Sequence, residues 1–118
     1  MGDSVKLSES IELFRESADQ YTYFRLWGNV NSTAAALEIK PILLSANSNL
    51  LLDLSGVSSL TSTGVGLLFE LYDKLSASGH KLILVSPSYR VDEILELTGF
   101  GNLFPRAESR ESAAGMLS

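Results

Sequence analysis

The sequence predicts an α/β fold: a small mixed sheet of about four to five strands with helices packed on it. Three observations predict it. Two short apolar runs, Leu50-Leu51-Leu52-Asp53-Leu54 and Leu82-Ile83-Leu84-Val85, read as parallel strands covered on both faces. Between them Val65, Leu68, Tyr72 and Leu75 recur at helical spacing, with Leu67 and Leu71 widening the stripe. Ahead of them lie two segments patterned as strands. The resulting order is β-β-α-β-α-β-α, with a further helix at the end.

The first segment alternates Ile11, Leu13 and Arg15 with Glu12, Phe14 and Glu16, as a half-buried strand does. Ser17-Ala18-Asp19-Gln20 reads as a turn, and the aromatic-rich Tyr21 to Trp27 as a second strand paired with the first. Gly28-Asn29-Val30-Asn31-Ser32-Thr33 reads as a loop ending in capping residues. A helix then runs from about Ala34 to Ser45. Pro41 lacks an amide donor and crowds the Leu37 carbonyl, so a kink or an early end is expected there. The central helix carries Glu70 and Lys74 four apart in the favourable order, and Gly79 marks its end. Ser86-Pro87 is expected to open the next helix, serine as cap and proline at the first position. Val91, Ile94 and Leu95 face inward, Gly99 stops it, and Phe100 packs back over its final turn. Glu108 to Leu117 reads as the last helix.

A chain of 118 residues fits one compact domain over 1–118, its core spanning about 11–117. Internal repeats, linkers and low-complexity segments are absent from the sequence. With no cysteine, disulfides, thiolate metal sites and thiol nucleophiles are excluded. The N-terminus lacks the pattern of a signal peptide, and no apolar run approaches the length of a membrane span, so a cytoplasmic location is expected. The net charge of −5, with lysines and arginines scattered singly, argues against direct nucleic-acid binding.

Enzyme readings fail on inventory. His80 is the one histidine, placed between Gly79 and Lys81, and reads as a turn residue facing water. A metal site or a Ser-His-Asp triad needs several converging groups. Gly64-Val65-Gly66 is no nucleotide loop: Phe69 stands where a third glycine would fall, and an eight-residue span, Ser55 to Ser62, separates strand from helix. Asp92, Glu93 and Glu96 suit the start of a helix. Neither a metal nor a cofactor is expected.

One segment asks for more. Ser58-Ser59-Leu60-Thr61-Ser62-Thr63-Gly64-Val65-Gly66 gathers five hydroxyls before the best helix, and capping needs one. The structural alternative is a polar loop of turn-formers. The functional alternative is a switch: unpaired amides at a helix start favour an anion, and an added phosphate changes what can dock there.

Leu50-Leu51-Leu52-Asp53-Leu54-Ser55-Gly56-Val57 followed by Thr61-Ser62-Thr63-Gly64-Val65-Gly66 resembles the signature of STAS domains. Ser86-Pro87 through Leu97-Thr98-Gly99-Phe100 and Leu103-Phe104-Pro105 resemble it too, as does the Gly28-Asn29-Val30-Asn31 loop. The resemblance, to the anti-sigma factor antagonists, covers about Ile11 to Leu117 and implies partner switching. The implied partners are an anti-sigma factor with serine kinase activity, which holds the ATP, and a PP2C-type phosphatase. The implied phosphorylation site is Ser62, with Thr61 and Thr63 as alternative acceptors. The implied partner-binding residues are Asn31, Ser32, Leu60, Thr61, Ser62, Thr63, Gly64 and Gly66. Two positions depart from the family: Thr61 and Asn31 stand where it commonly carries Asp. The alternative function is a non-phosphorylated accessory subunit docked on a lipid-transport ATPase of a membrane.

Overall fold

The computed structural model describes residues 2–8, 11–30, 33–99 and 101–117. Among these residues six strands form one mixed sheet in sequence order: β1 (Asp3–Ser8), β2 (Ile11–Ser17), β3 (Tyr21–Val30), β4 (Asn49–Leu60), β5 (Leu82–Val85) and β6 (Arg106–Ala107). The first three pair antiparallel and the rest parallel. Among the described residues four α-helices complete the fold: α1 (Thr33–Leu44), α2 (Ser62–Ala77), α3 (Tyr89–Leu97) and α4 (Arg110–Gly115).

The expected architecture holds, with two more strands than the clearest patterns mark. The β1 segment Asp3-Ser4-Val5-Lys6-Leu7-Ser8 has too few apolar residues to stand out, and β6 is two residues long. The helix stripes do what their periodicity demands. Ile39 and Leu43 of α1, Leu68, Leu71 and Leu75 of α2, and Val91 and Leu95 of α3 bury against Phe24, Leu26, Leu50, Leu52 and Leu84 of the sheet. On the opposite face Tyr23, Leu51, Ile83 and Val85 pack with Ala113 of α4. That is why β5 is buried at all four residues.

This second face holds a buried polar pair. Asp53 Oδ2 accepts from the Tyr23 hydroxyl at 2.6 Å, and Asp53 Oδ1 accepts from the Ser55 backbone N–H at 2.9 Å and the Ser55 hydroxyl at 2.7 Å. Burial, then the bond to Asp53 and that carboxylate's charge, push the Tyr23 phenol well above its ordinary pKa. The Arg110 guanidinium lies 4.4 Å from the Tyr23 ring centre and ties α4 to this face.

Five expectations need correction. β3 continues to Val30 through Gly28, which adopts φ 118°, so the segment taken as a loop is partly strand. β4 likewise runs to Leu60. A strand shows one face every second residue, yet Leu54, Val57 and Leu60 are three apart and all buried. Register shifts against β3, between Arg25 and Trp27 and between Gly28 and Asn29, each add a residue to β4 and restore the face. Gly56 sits at the first: a Cβ there would lie 2.5 Å from Trp27 Cδ1 and 3.1 Å from the Leu26 carbonyl oxygen.

α1 passes through Pro41 and ends only at Leu44. Leu37 and Pro41 are both exposed, so water can satisfy the Leu37 carbonyl left without a donor. α3 begins at Tyr89 with Ser88 as its cap, not Ser86: Ser86 still donates its N–H to the Ala107 carbonyl at 2.7 Å, with φ 47°. The last helix is shorter than Glu108 to Leu117; Ser109 caps it, accepting from Ser112 N–H at 3.1 Å.

Smaller differences follow. The ion pair of Glu70 runs to Lys40 of α1 at 2.8 Å rather than along its own helix to Lys74. Gly79 and Gly99 end their helices with φ 78°, as expected. His80 is half-buried rather than water-facing, its backbone N–H donating to the Leu75 carbonyl at 2.7 Å. The expected packing of Phe100 lies outside the described residues.

Candidate functional site

Thr61 is the whole connection between β4 and α2. The eight-residue span read from the sequence does not exist, because Ser58 and Ser59 belong to the strand. Thr61 is extended, with φ −94° and ψ 176°, and its carbonyl accepts from Val65 N–H at 3.0 Å. Its side chain makes no capping hydrogen bond, and the first turn holds no acid. The start of α2 therefore keeps the positive end of its dipole with no cap from Thr61 and no first-turn carboxylate.

Burial sorts the candidate residues. Ser62, Thr63 and Gly66 are exposed, and Thr61 is half-buried. Leu60 is 6% exposed and joins the core, and Gly64 is buried, so neither offers surface to a partner. They support the site from beneath. Asn31 and Ser32 lie outside the described residues.

The sequence did not expose one part of this surface. A groove of about 280 Å³ runs between α1 and α2, bounded by Leu37, Lys40, Thr63, Gly66 and Glu70. Leu37 stands 60% exposed at its side. The Lys40–Glu70 pair crosses from one helix to the other, and beyond its chain neighbours and the backbone of α2 a Cβ built on Gly66 meets no described residue within 4 Å. An exposed leucine among polar positions of α1 was the available signal. It became meaningful only once α1 and α2 were known to be neighbours.

Chemically, this surface can receive an anion at the helix start or admit an apolar side chain between the helices. Among the described residues, no group of three or more histidine, aspartate or glutamate side chains is placed to hold a metal ion. Nor, among those residues, is any helix long and apolar enough to cross a membrane.

Residues 7–113 match the family model of the STAS domain. No curated protein sequence matches the chain. Solved structures of similar fold include the anti-sigma factor antagonist SpoIIAA in its unphosphorylated form. It is 23% identical with a TM-score of 0.75, over 88% of this chain and 94% of that one. SpoIIAA of Bacillus in the phosphorylated form is 21% identical with a TM-score of 0.69, over 90% of this chain and 99% of that one. An anti-sigma factor antagonist from Mycobacterium paratuberculosis is 24% identical with a TM-score of 0.74, over 92% and 94%. At these identities the likeness concerns the fold.

Proposed function

The chain belongs to the STAS domain family, and from that premise we propose that it is an anti-sigma factor antagonist whose docking is controlled at Ser62. The whole chain acts as one cytoplasmic unit in partner switching and regulates transcription without catalysing a reaction. The observation that carries the reading is the start of α2, where Ser62 and Thr63 are exposed and no side chain from Thr61 caps the helix. Thr61, Ser62, Thr63 and Gly66 form the contact surface, with Asn31 and Ser32 as further contacts.

In this reading an anti-sigma factor with serine kinase activity binds across the helix start. Its bound ATP then supplies the phosphate. The Ser62 hydroxyl oxygen forms the new bond to the γ-phosphorus, the bond from that phosphorus to ADP breaks, and a kinase base takes the proton. The product carries about −1.5 to −2 charges. The positive end of the α2 dipole tolerates that charge, but an acidic or apolar partner surface does not. Losing roughly 2.7 kcal/mol of binding weakens a complex about a hundredfold. A PP2C-type phosphatase reverses the switch by hydrolysis. The phosphorylated form of the structurally similar SpoIIAA supports the choice of a phosphate as the signal.

The test is to incubate the purified chain with its kinase-type anti-sigma factor, ATP and magnesium. The expected product carries one added phosphate, absent in Ser62→Ala. An unchanged mass in a complex that does form would remove the phosphorylation and leave the docking. No complex would remove both.

A further inference from the structure

α3 carries two large apolar side chains that the fold does not bury. Its inner face is spent on Val91 and Leu95, which are fully buried. On the outside Tyr89 and Leu97 are each 80% exposed. They stand at opposite ends of the helix, roughly 12 Å apart at about 1.5 Å rise per residue. Both border a groove of about 510 Å³, together with Asp92, Glu93, Glu96 and Arg106 of β6.

Single exposed apolar side chains are ordinary, but two across one groove between carboxylates are a docking pattern. Arg106 holds Asp92 from within, Nε to Oδ1 at 3.2 Å, and reaches Glu96 through one terminal nitrogen at 3.5 Å. Glu93 is exposed at the rim. Three carboxylates and one guanidinium thus line the groove, which stays acidic on a chain of net charge −5. Nucleic acid or an anionic membrane would be repelled.

We propose that this groove docks a short, basic, amphipathic helix of a partner protein. Two apolar anchors about two turns apart cover Tyr89 and Leu97. Lysines or arginines between them meet Glu93 and the outer oxygens of Asp92 and Glu96. The site uses α3 and β6 rather than the start of α2, and does not rest on the antagonist reading.

The test is an amide-resolved NMR titration with two synthetic peptides of identical lysine and leucine content. One has its leucines two helical turns apart, and the other is scrambled. The patterned peptide is expected to shift amides from Tyr89 to Leu97 and at Arg106, and to bind at least about tenfold tighter than the scrambled one. Leu97→Ser, an exposed change that leaves the amide spectrum of the fold intact, is expected to remove that advantage. Glu93→Lys is expected to weaken both peptides by about tenfold. Equal affinities for the two peptides, shifts scattered over other acidic surface, or indifference to Leu97→Ser would each overturn the proposal.

Discussion

Two strand-to-helix junctions leave the same end of the sheet, since β4 and β5 are parallel neighbours. At the second, Ser88 completes the helix. Its hydroxyl accepts from Val91 N–H at 3.4 Å, donates to the Val57 carbonyl at 2.7 Å, and Asp92 adds a charge in the first turn. At the first, Thr61 has similarly extended backbone, yet its side chain supplies no cap and no acid follows. Both junctions are rich in hydroxyls. One is closed by the protein's own side chains, and the other is presented to the outside. A serine-rich helix start is thus ambiguous in sequence, and the hydrogen bonds decide which kind it is.

The largest test of this contrast is Ser62→Asp. It is expected to weaken the anti-sigma complex about a hundredfold, or roughly 2.7 kcal/mol. The melting temperature should stay within a few degrees of the parent, because an acid suits the first turn of α2. Calorimetric titration gives the affinity and a thermal melt the stability. Equal affinity for Ser62→Asp and the parent would mean that the open helix start is not the docking surface.

Next in size is the cap itself. Ser88→Ala removes the bond to Val91 and leaves the Val57 carbonyl without this donor, a loss of about 2 kcal/mol. Ser62→Ala, at the exposed start of α2, should cost less than about 0.5 kcal/mol. Urea denaturation of the two variants measures the difference directly. Equal losses would erase the distinction between the junctions.

The contrast also shows what a sequence can carry. Leu82-Ile83-Leu84-Val85 and the Val65-to-Leu75 stripe were legible because unbroken periodicity reports burial without any tertiary knowledge. β4 beyond Leu54 was not, because two register shifts break the alternation on which a strand is recognised. The same shifts turn Leu60 inward, so a residue beside the site was taken for part of its surface. Ser86 looked like the cap because serine followed by proline often opens a helix. The pairing of its N–H with Ala107 delays the turn by two residues. The hydroxyl-rich start of α2 was legible from local chemistry, whereas the choice of Ser62 within it came from the family resemblance. The groove between α1 and α2 was not, since it exists only where Leu37 and Gly66 are brought together.

The smallest expected effect concerns that groove. The first turns of α2 hold Gly64 and Gly66, whereas α3 has no glycine from Tyr89 to Leu97. Gly64 is buried, but Gly66 is exposed, and a Cβ on it would meet no described residue within 4 Å beyond its chain neighbours and the helix backbone. Glycine inside a helix costs about 0.8–1 kcal/mol relative to alanine. Gly66→Ala is therefore expected to stabilise the chain by about 0.5–1 kcal/mol in urea denaturation. Since no contact among the described residues requires the glycine, its cost is explained if another surface approaches there. Gly66→Trp fills the groove beside Leu37, and it should fold yet bind the anti-sigma factor more weakly than Gly66→Ala. If both variants bind as the parent does, the docking surface ends at Thr63, and Gly66 is a stability cost that docking does not explain.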